Sequence, residues 1–252
     1  MTSSPLYNRG FTLVEIAIVL LIVALLLGGL LMPLSAQIDG QRASETQKNL
    51  AEIRDALLGF TVVNGRLPCP ALATIATGTA GAGLEPTPVA AAGCANTAGV
   101  LPWATLGVNE TDAWGNRYTY RVTVEFTRTI NQTTFAVGCT PSSNPQYSAF
   151  ALCSKGDINV KSSSGGTALA SNVPVIVISH GKNGNGAFTT LGIKLSAGSD
   201  TDEIQNQLNA TGTGTTSNDF VSKTTTPTYD DIVVWLSPNI LYNRMIAAGK
   251  LP

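Results

Sequence analysis

Apolar residues are concentrated in one stretch near the start of the chain. Residues 11–32 include a single charged side chain, Glu15, and residues 16–27 consist only of Ile, Ala, Val and Leu. Because an α-helix rises about 1.5 Å per residue, this stretch predicts a helix of about 33 Å. A hydrocarbon layer is about 30 Å thick, so the pattern predicts a membrane span. The Gly-Gly pair at 28–29 and Pro33 predict a kink or local melting of this helix.

A different spacing follows this stretch. Apolar and small residues recur every three or four positions, with charged residues between them, at Ala43, Thr46, Leu50, Ile53, Leu57 and Phe60. This spacing predicts an amphipathic α-helix with one buried stripe over residues 35–65. Asn64 and Gly65, followed by Pro68, predict where that helix ends.

The remainder of the chain, residues 66–252, has the pattern of a β-rich domain. Residues 117–126 alternate strictly between apolar and polar side chains, which predicts a half-buried antiparallel strand. Further strands are predicted at 134–137, 147–152, 173–179, 188–193 and 230–236. Two stretches rich in Ala, Gly and Thr, residues 74–93 and 209–228, predict loops.

A short helix is predicted near the end of the chain. Ser237 and Pro238 are a typical N-cap and first helical residue, and Gly249 is a typical stop. The inner face of this helix is predicted to consist of Leu241, Met245 and Ala248. Together these patterns predict an α+β fold, in which a long N-terminal helix packs on an antiparallel β-sheet with long loops and a short C-terminal helix.

The charge content limits the possible partners. Only 12% of the 252 residues are charged, against about 25% in an ordinary soluble domain. The 15 Lys and Arg nearly balance the 16 Asp and Glu, giving a net charge of −1. Because no broad positive field results, no nucleic-acid partner is expected. A single His excludes a His-rich metal centre.

The residues just before and inside the apolar stretch form a recognisable motif. Residues 10–15 read Gly-Phe-Thr-Leu-Val-Glu, after a polar segment that contains Arg9. This string resembles the N-terminal signature of type IV pilins and type II secretion pseudopilins. The resemblance implies that a prepilin peptidase cuts after Gly10 and that Phe11 becomes the methylated N-terminus. An ordinary secretory signal has an apolar core of only about 7–15 residues, and cleavage removes this core together with the rest of the signal.

The resemblance also implies a domain organisation and a place in the cell. Residues 1–10 are a cleaved leader, 11–34 a transmembrane and filament-core helix, 35–65 its amphipathic periplasmic half, and 66–252 a periplasmic globular domain. The protein is expected to pass once through the bacterial inner membrane and to become part of an extracytoplasmic filament. Expected partners are the peptidase, other pilin or pseudopilin subunits and an inner-membrane assembly platform.

Glu15 carries the main functional hypothesis. A carboxylate in the hydrocarbon region costs on the order of 2.5–3.5 kcal/mol, so it needs a partner. The resemblance implies pairing with the Phe11 amine of a neighbouring subunit, which draws subunits into a staggered filament. The alternative is that Glu15 lies near the headgroups as an ordinary anchor residue.

All four cysteines follow the apolar stretch. An even number of cysteines in an extracytoplasmic domain favours disulfides over free thiols. The pairs Cys69–Cys94 and Cys139–Cys153 are favoured among three possible pairings, because each closes a local loop between predicted elements. A zinc site is the alternative, although no two cysteines have C-x-x-C spacing.

Two further segments resemble the major pseudopilin of type II secretion systems. Residues 112–120 are similar to its D-P-W-G-x-P-Y-x-Y run, and residues 179–184 with 231–235 are similar to its S-x-G-x-D-G and D-I-x-x-W motifs. The resemblance implies calcium in the loop between the latter two, although Asn183 replaces the usual Asp and the connection is long. The candidate ligands are Asn183, Asp219, Asp230 and Asp231. The alternative is that these residues only hydrogen-bond their own loop backbone.

The sequence therefore predicts a structural subunit, either a minor pilin or a pseudopilin, of a type IV pilus-like filament. A membrane-anchored periplasmic binding module that does not polymerise is the alternative. No enzymatic activity is expected. Ser179 and His180 are adjacent on a predicted strand end, so their side chains face opposite sides and do not form a nucleophile and base pair.

Overall fold

A computed structural model describes residues 10–86, 91–130, 133, 135, 138–141, 145–207 and 218–251, without the side chains at 27–34. It divides into two compact units, residues 1–42 and 43–252. In chain order the described helices and strands are α1 (Leu13–Asn64), β1 (Ala98–Val100), α2 (Trp103–Leu106), β2 (Thr119–Val122), β3 (Ile158–Lys161), β4 (Ala168–Val173), β5 (Val175–Ser179), α3 (Thr201–Gln205), β6 (Asp219–Val221), β7 (Ile232–Leu236) and α4 (Pro238–Ala247). The chain therefore has the predicted α+β composition with an N-terminal helix.

Helix α1 runs from Leu13 to Asn64, close to the range 11–65 that the sequence predicts. It stays helical through the Gly-Gly pair at 28–29 and Pro33, so the predicted local melting is not observed. It ends at Asn64 as predicted, because Gly65 adopts a φ of +70° that stops the helix. Within the second unit its buried stripe consists of Thr46, Asn49, Leu50, Ile53, Leu57, Leu58 and Thr61.

A separate finding concerns the membrane. Among the residues whose side chains are described, no helix combines the length and apolarity needed to cross a bilayer. The span predicted for residues 11–34 therefore stays a prediction.

The first sheet carries the main core. Its order is β1, β2, β5, β7, and all three pairings are antiparallel. The inner stripe of α1 packs on one face of this sheet, where Tyr118, Tyr120, Val175 and Val177 join Leu50 and Leu57 in one buried cluster. Within the second unit, residues of α1 and of this sheet thus share one hydrophobic core.

A second sheet covers the opposite face of the first. Its order is β4, β3, β6, with β3 and β4 antiparallel and β3 and β6 parallel. Ile176 and Ile178 of β5 pack there against Ile158, Val160, Val173 and Phe220. Because β5 is buried on both faces, its sequence is a continuous apolar run rather than an alternating one.

The prediction of a half-buried strand at 117–126 was wrong in both its length and its exposure. Strand β2 covers only Thr119–Val122, and residues 124–127 form a 3-10 turn. Its polar face is buried, because Arg121 donates to Asp157 Oδ2 (2.7 Å) and to Asn218 Oδ1 (2.8 Å). The polar face of this strand therefore contacts other polar side chains of the protein instead of solvent.

Other strand predictions had mixed outcomes. The prediction at 230–236 matches β7, and the one at 173–179 is divided at Pro174 between the end of β4 and β5. Residues 147–152 contain no strand, although Phe150 is buried against the Phe126 ring with the centroids 4.8 Å apart. Residues 188–193 supply only two isolated bridges, both at Phe188, to Arg117 and to Lys194. The prediction at 134–137 lies almost entirely outside the described residues.

The loop and C-terminal helix predictions are partly confirmed. Residues 74–86 have no helix or strand, whereas the predicted loop 209–228 contains β6. Helix α4 begins after Ser237, whose side chain makes no capping hydrogen bond. Leu241 and Met245 are buried as predicted, but Ala248 is exposed.

The disulfides connect as the local-loop argument predicts. Cys69 is bonded to Cys94, and Cys139 is bonded to Cys153. The first bond lies beside a partly buried ion pair, in which Arg66 and Glu85 approach to 2.5 Å and Glu85 also accepts from the Cys69 backbone N–H. This region is therefore cross-linked covalently and electrostatically.

Candidate functional site

Glu15 takes part in the local hydrogen bonding that starts α1. The Thr12 backbone N–H donates to Glu15 Oε2 (3.4 Å), and the Glu15 N–H donates to Thr12 Oγ1 (3.2 Å). This reciprocal arrangement is a capping box, which satisfies two N–H groups at a helix start. The Glu15 carboxylate is therefore held at the positive end of the helix dipole, one turn from Phe11.

The Trp-Gly motif at 112–120 is anchored by a buried carboxylate. Asp112 Oδ1 accepts from the backbone N–H groups of Trp114 and Asn116, both at 3.0 Å. Its Oδ2 accepts from Ser179 Oγ at 2.6 Å, which joins this turn to the end of β5. Burial raises the pKa of Asp112, although these hydrogen bonds oppose the rise. Ser179 thus has an acidic partner, not a basic one.

His180 is fully buried between strands. Its Nε2 lies 2.8 Å from Thr119 Oγ1 on β2, and its Nδ1 lies 3.3 Å from Asp231 Oδ1 without a hydrogen bond. The sequence did not reveal this Thr119, His180 and Asp231 arrangement, because its members come from three distant segments. It connects β2, β5 and the start of β7 in the interior.

Next to His180 the structure brings three carboxylates together. Oxygen atoms of Glu203, Asp230 and Asp231 lie within 4.8 Å of one another, and Glu203 and Asp231 are buried. Gly181 allows this approach, because a Cβ there would lie 2.6 Å from Asp230 Oδ1. Sequence reasoning found the two aspartates but missed Glu203. The only local signal was Asp200, whose side chain caps α3 by accepting from the Asp202 and Glu203 N–H groups.

The other two predicted ligands are used differently. Asn183 Oδ1 accepts from the Asn185 N–H (2.8 Å), and its Nδ2 donates to Glu203 Oε1 (2.7 Å). Asp219 lies on β6, where it pairs with Lys161 Nζ at 2.5 Å and accepts from Asn159 Nδ2. The structure therefore groups Asp230 and Asp231 with Glu203 rather than with Asp219.

The three-carboxylate cluster has the properties of a cation site. Within the described part of the chain, neither Asp230 Oδ1 nor Asp231 Oδ1 accepts a hydrogen bond, and Asp231 is only 4% exposed. Burial raises the pKa of Asp230 to about 6, and the nearby Glu203 and Asp231 carboxylates add to the rise. Calcium prefers six to eight oxygen ligands, and carboxylates are its commonest charged ones. The donor set therefore fits calcium, with further oxygen ligands needed from backbone or water.

The raised pKa of Asp230 gives a pH-dependent prediction. An unfolded Asp has a pKa of about 3.9, so the protonated carboxyl favours the folded state below about pH 4, and this contribution is lost as the pH rises through about 6. We expect Asp230→Asn, which mimics the protonated acid, to stabilise the calcium-free chain at pH 7.5 by about 1–2 kcal/mol, a value discounted for partial exposure. At pH 4.5 the gain should be much smaller. Urea unfolding in a chelator-containing buffer measures both.

The control is Asp55→Asn, because the Asp55 side chain is 73% exposed. It should change the free energy of unfolding little at either pH. Equal destabilisation by Asp230→Asn at both pH values would contradict the expected charge effect.

Comparison with known families places the N-terminal segment. Residues 6–31 match the family described as the prokaryotic N-terminal methylation motif. This match confirms the predicted prepilin-type motif, which is consistent with the type IV pilin and pseudopilin family, and it indicates a membrane-anchored extracytoplasmic protein. It covers about a tenth of the chain. Searches of curated proteins and of solved structures give no match.

Proposed function

We propose that this protein is a structural subunit, a minor pilin or a pseudopilin, of a type IV pilus-like filament. The observation that carries the proposal is the methylation motif at residues 6–31, which contains both Phe11 and Glu15. The exposed apolar side chains of residues 11–26 support it, because such a surface needs either lipid or other helices to cover it. No enzymatic step is part of this function.

Assembly would move subunits from the inner membrane into a filament. In the membrane, residues 11–34 form the proposed span, with the leader in the cytoplasm and the globular domain in the periplasm. An assembly platform would extract each subunit, and the N-terminal helices would pack as the filament core. Pairing of the Glu15 carboxylate with the Phe11 amine of a neighbouring subunit would set the stagger, because an unpaired charge is costly in this apolar setting. The periplasmic domains would form the coat.

We also propose that Glu203, Asp230 and Asp231 hold calcium. A bound calcium ion supplies two positive charges to three clustered carboxylates. Asp230 Oδ1 and Asp231 Oδ1 accept no hydrogen bond, which favours this proposal over a purely polar loop. Glu203 and the aspartates would then join α3 to the start of β7.

A membrane-anchored binding module that does not polymerise is the rival function. It shares the leader and the apolar helix, so it predicts the same processing. The two functions differ in whether Glu15 is needed, and the Glu15 experiment in the Discussion separates them.

Processing at Gly10 tests the first step of the proposed function. We expect the mature protein to begin at N-methylated Phe11, with residues 1–10 removed. Gly10→Leu should leave the leader attached, because a large side chain at the junction blocks the peptidase. Intact-mass measurement of the membrane fraction distinguishes the two forms. Ser3→Ala, a leader substitution away from the junction, is the control and should be processed normally; a mature Gly10→Leu chain would contradict the proposal.

A further inference from the structure

The connection between β5 and β7 places a carboxylate beside Asn183, whose side chain has no charge. Asn183 stands where the resemblance to the major pseudopilin implies an acid of a calcium loop, yet its amide has no negative charge. Glu203 lies 20 residues further along the chain, on α3, and is fully buried beside Asn183. A carboxylate therefore lies within hydrogen-bond distance of the uncharged Asn183 side chain.

The hydrogen bonds around Glu203 show how it is held. Asn183 Nδ2 donates to Oε1 (2.7 Å), Asn185 Nδ2 donates to Oε2 (2.9 Å), and the Asp230 N–H donates to Oε1 (3.0 Å). All three donors are uncharged. They orient the carboxylate toward Asp230 and Asp231 without neutralising it, so the cluster keeps three acidic groups in a buried setting.

The residue that ends this short helix, Asn206, also contacts Asp231. Asn206 Nδ2 donates to Asp231 Oδ2 (2.8 Å), whereas Asp231 Oδ1 lies 3.3 Å from His180 Nδ1 and accepts no hydrogen bond. Asn206 also exchanges two hydrogen bonds with the backbone of Val221 on β6. The connection is therefore fixed to both sheets at the point where Glu203 enters the cluster.

We infer that Glu203 is a calcium ligand that replaces the missing acid at position 183, and that Asn183 is a positioning residue that orients Glu203. This inference rests on the calcium site proposed above. In this arrangement the amides of Asn183 and Asn185 hold the Glu203 carboxylate and do not bind the metal. Outer hydrogen-bond partners of this kind orient metal ligands and commonly change affinity by about 10–100-fold when removed.

Calcium titration of the full-length chain in detergent micelles tests the inference. After treatment with a chelator, calcium chloride is added and binding is followed by calorimetry and by the shift in unfolding temperature. We expect Glu203→Gln to weaken binding at least about tenfold, because one of three charges is lost. The matched control is Asp202→Asn, since Asp202 lies on the same helix but pairs with Lys223. It should bind calcium within about twofold of the unchanged chain.

A double variant separates loss of the ligand from loss of the fold. Asn183→Asp combined with Glu203→Gln moves the carboxylate to position 183 and the amide to position 203, so the hydrogen bond between them is kept with its direction reversed. We expect this exchange to restore affinity to within about threefold. Unchanged binding in Glu203→Gln, or no recovery in a folded double variant, overturns the role of Glu203. If the unchanged chain takes up no calcium, the calcium site itself is overturned, whereas the filament proposal is tested separately at Gly10 and Glu15.

Discussion

Glu15→Ala should abolish filament assembly while leaving cleavage after Gly10 intact. The junction residues are unchanged, so the peptidase still has its substrate. Assembly loses the one carboxylate in residues 11–32 that is available to pair with a neighbouring amine. Because each 1.4 kcal/mol corresponds to a factor of ten, loss of a charge pair in a low-dielectric core should reduce filaments by at least about tenfold. Electron microscopy of sheared filaments and intact-mass measurement of the cells give the two readouts.

Two further substitutions separate the charge of Glu15 from its capping role. Glu15→Gln keeps an oxygen that can accept from the Thr12 N–H but removes the charge, so it should assemble as poorly as Glu15→Ala. Thr12→Val removes the hydroxyl that accepts from the Glu15 N–H but keeps the charge, so it should still form filaments. Normal filaments from processed Glu15→Ala would favour the binding-module function and remove the physical basis of the filament proposal.

Arg117→Ala should cause a large loss of stability in the globular domain. The Arg117 side chain is 0% exposed, and its Nε donates to Glu110 Oε1 (2.8 Å). Its other nitrogens donate to the backbone oxygens of Ala73 (2.9 Å) and Thr190 (3.0 Å), and the guanidinium lies 4.6 Å from the centre of the Trp103 ring. One side chain therefore connects three loops and the start of β2.

Removing this side chain leaves several acceptors without donors. Breaking a buried ion pair by deleting one partner costs about 3–5 kcal/mol, a large part of a typical total stability of about 5–15 kcal/mol. Urea unfolding measures the difference. The control is Arg54→Ala, because Arg54 and Asp55 form an exposed pair at 3.8 Å that should contribute less than about 1 kcal/mol. A loss below about 1 kcal/mol for Arg117→Ala would show that the loops are held by other contacts.

Features that depend on neighbouring residues were predictable from the sequence. The buried stripe of α1 follows from a spacing of three and four, and its end follows from Gly65. Strand β7 follows from a short apolar run, and both disulfides close local loops of 25 and 14 residues. The methylation motif is likewise a local string of residues. In each case the determining residues lie close together along the chain.

Features that depend on distant contacts were not predictable in this way. The polar face of β2 is buried because Arg121 contacts Asn218, which is 97 residues away. The parallel pairing of β3 with β6 joins segments about 60 residues apart, and β6 has only three residues, too few to show a period. Short strands of this kind form because a neighbouring strand is available to pair with them. Their own sequences do not require a strand.

The candidate cation site shows the same division most clearly. The sequence by itself determined that position 183 lacks a charge and that Asp230 and Asp231 lie at the start of a predicted strand, and only the resemblance to the major pseudopilin linked these two segments. Only the tertiary structure decided that Glu203 completes the cluster and that Asp219 belongs to another ion pair. The physical reason is that a buried carboxylate needs hydrogen-bond donors around it in space. Those donors come from segments that are far apart along the chain, and no sequence pattern links them.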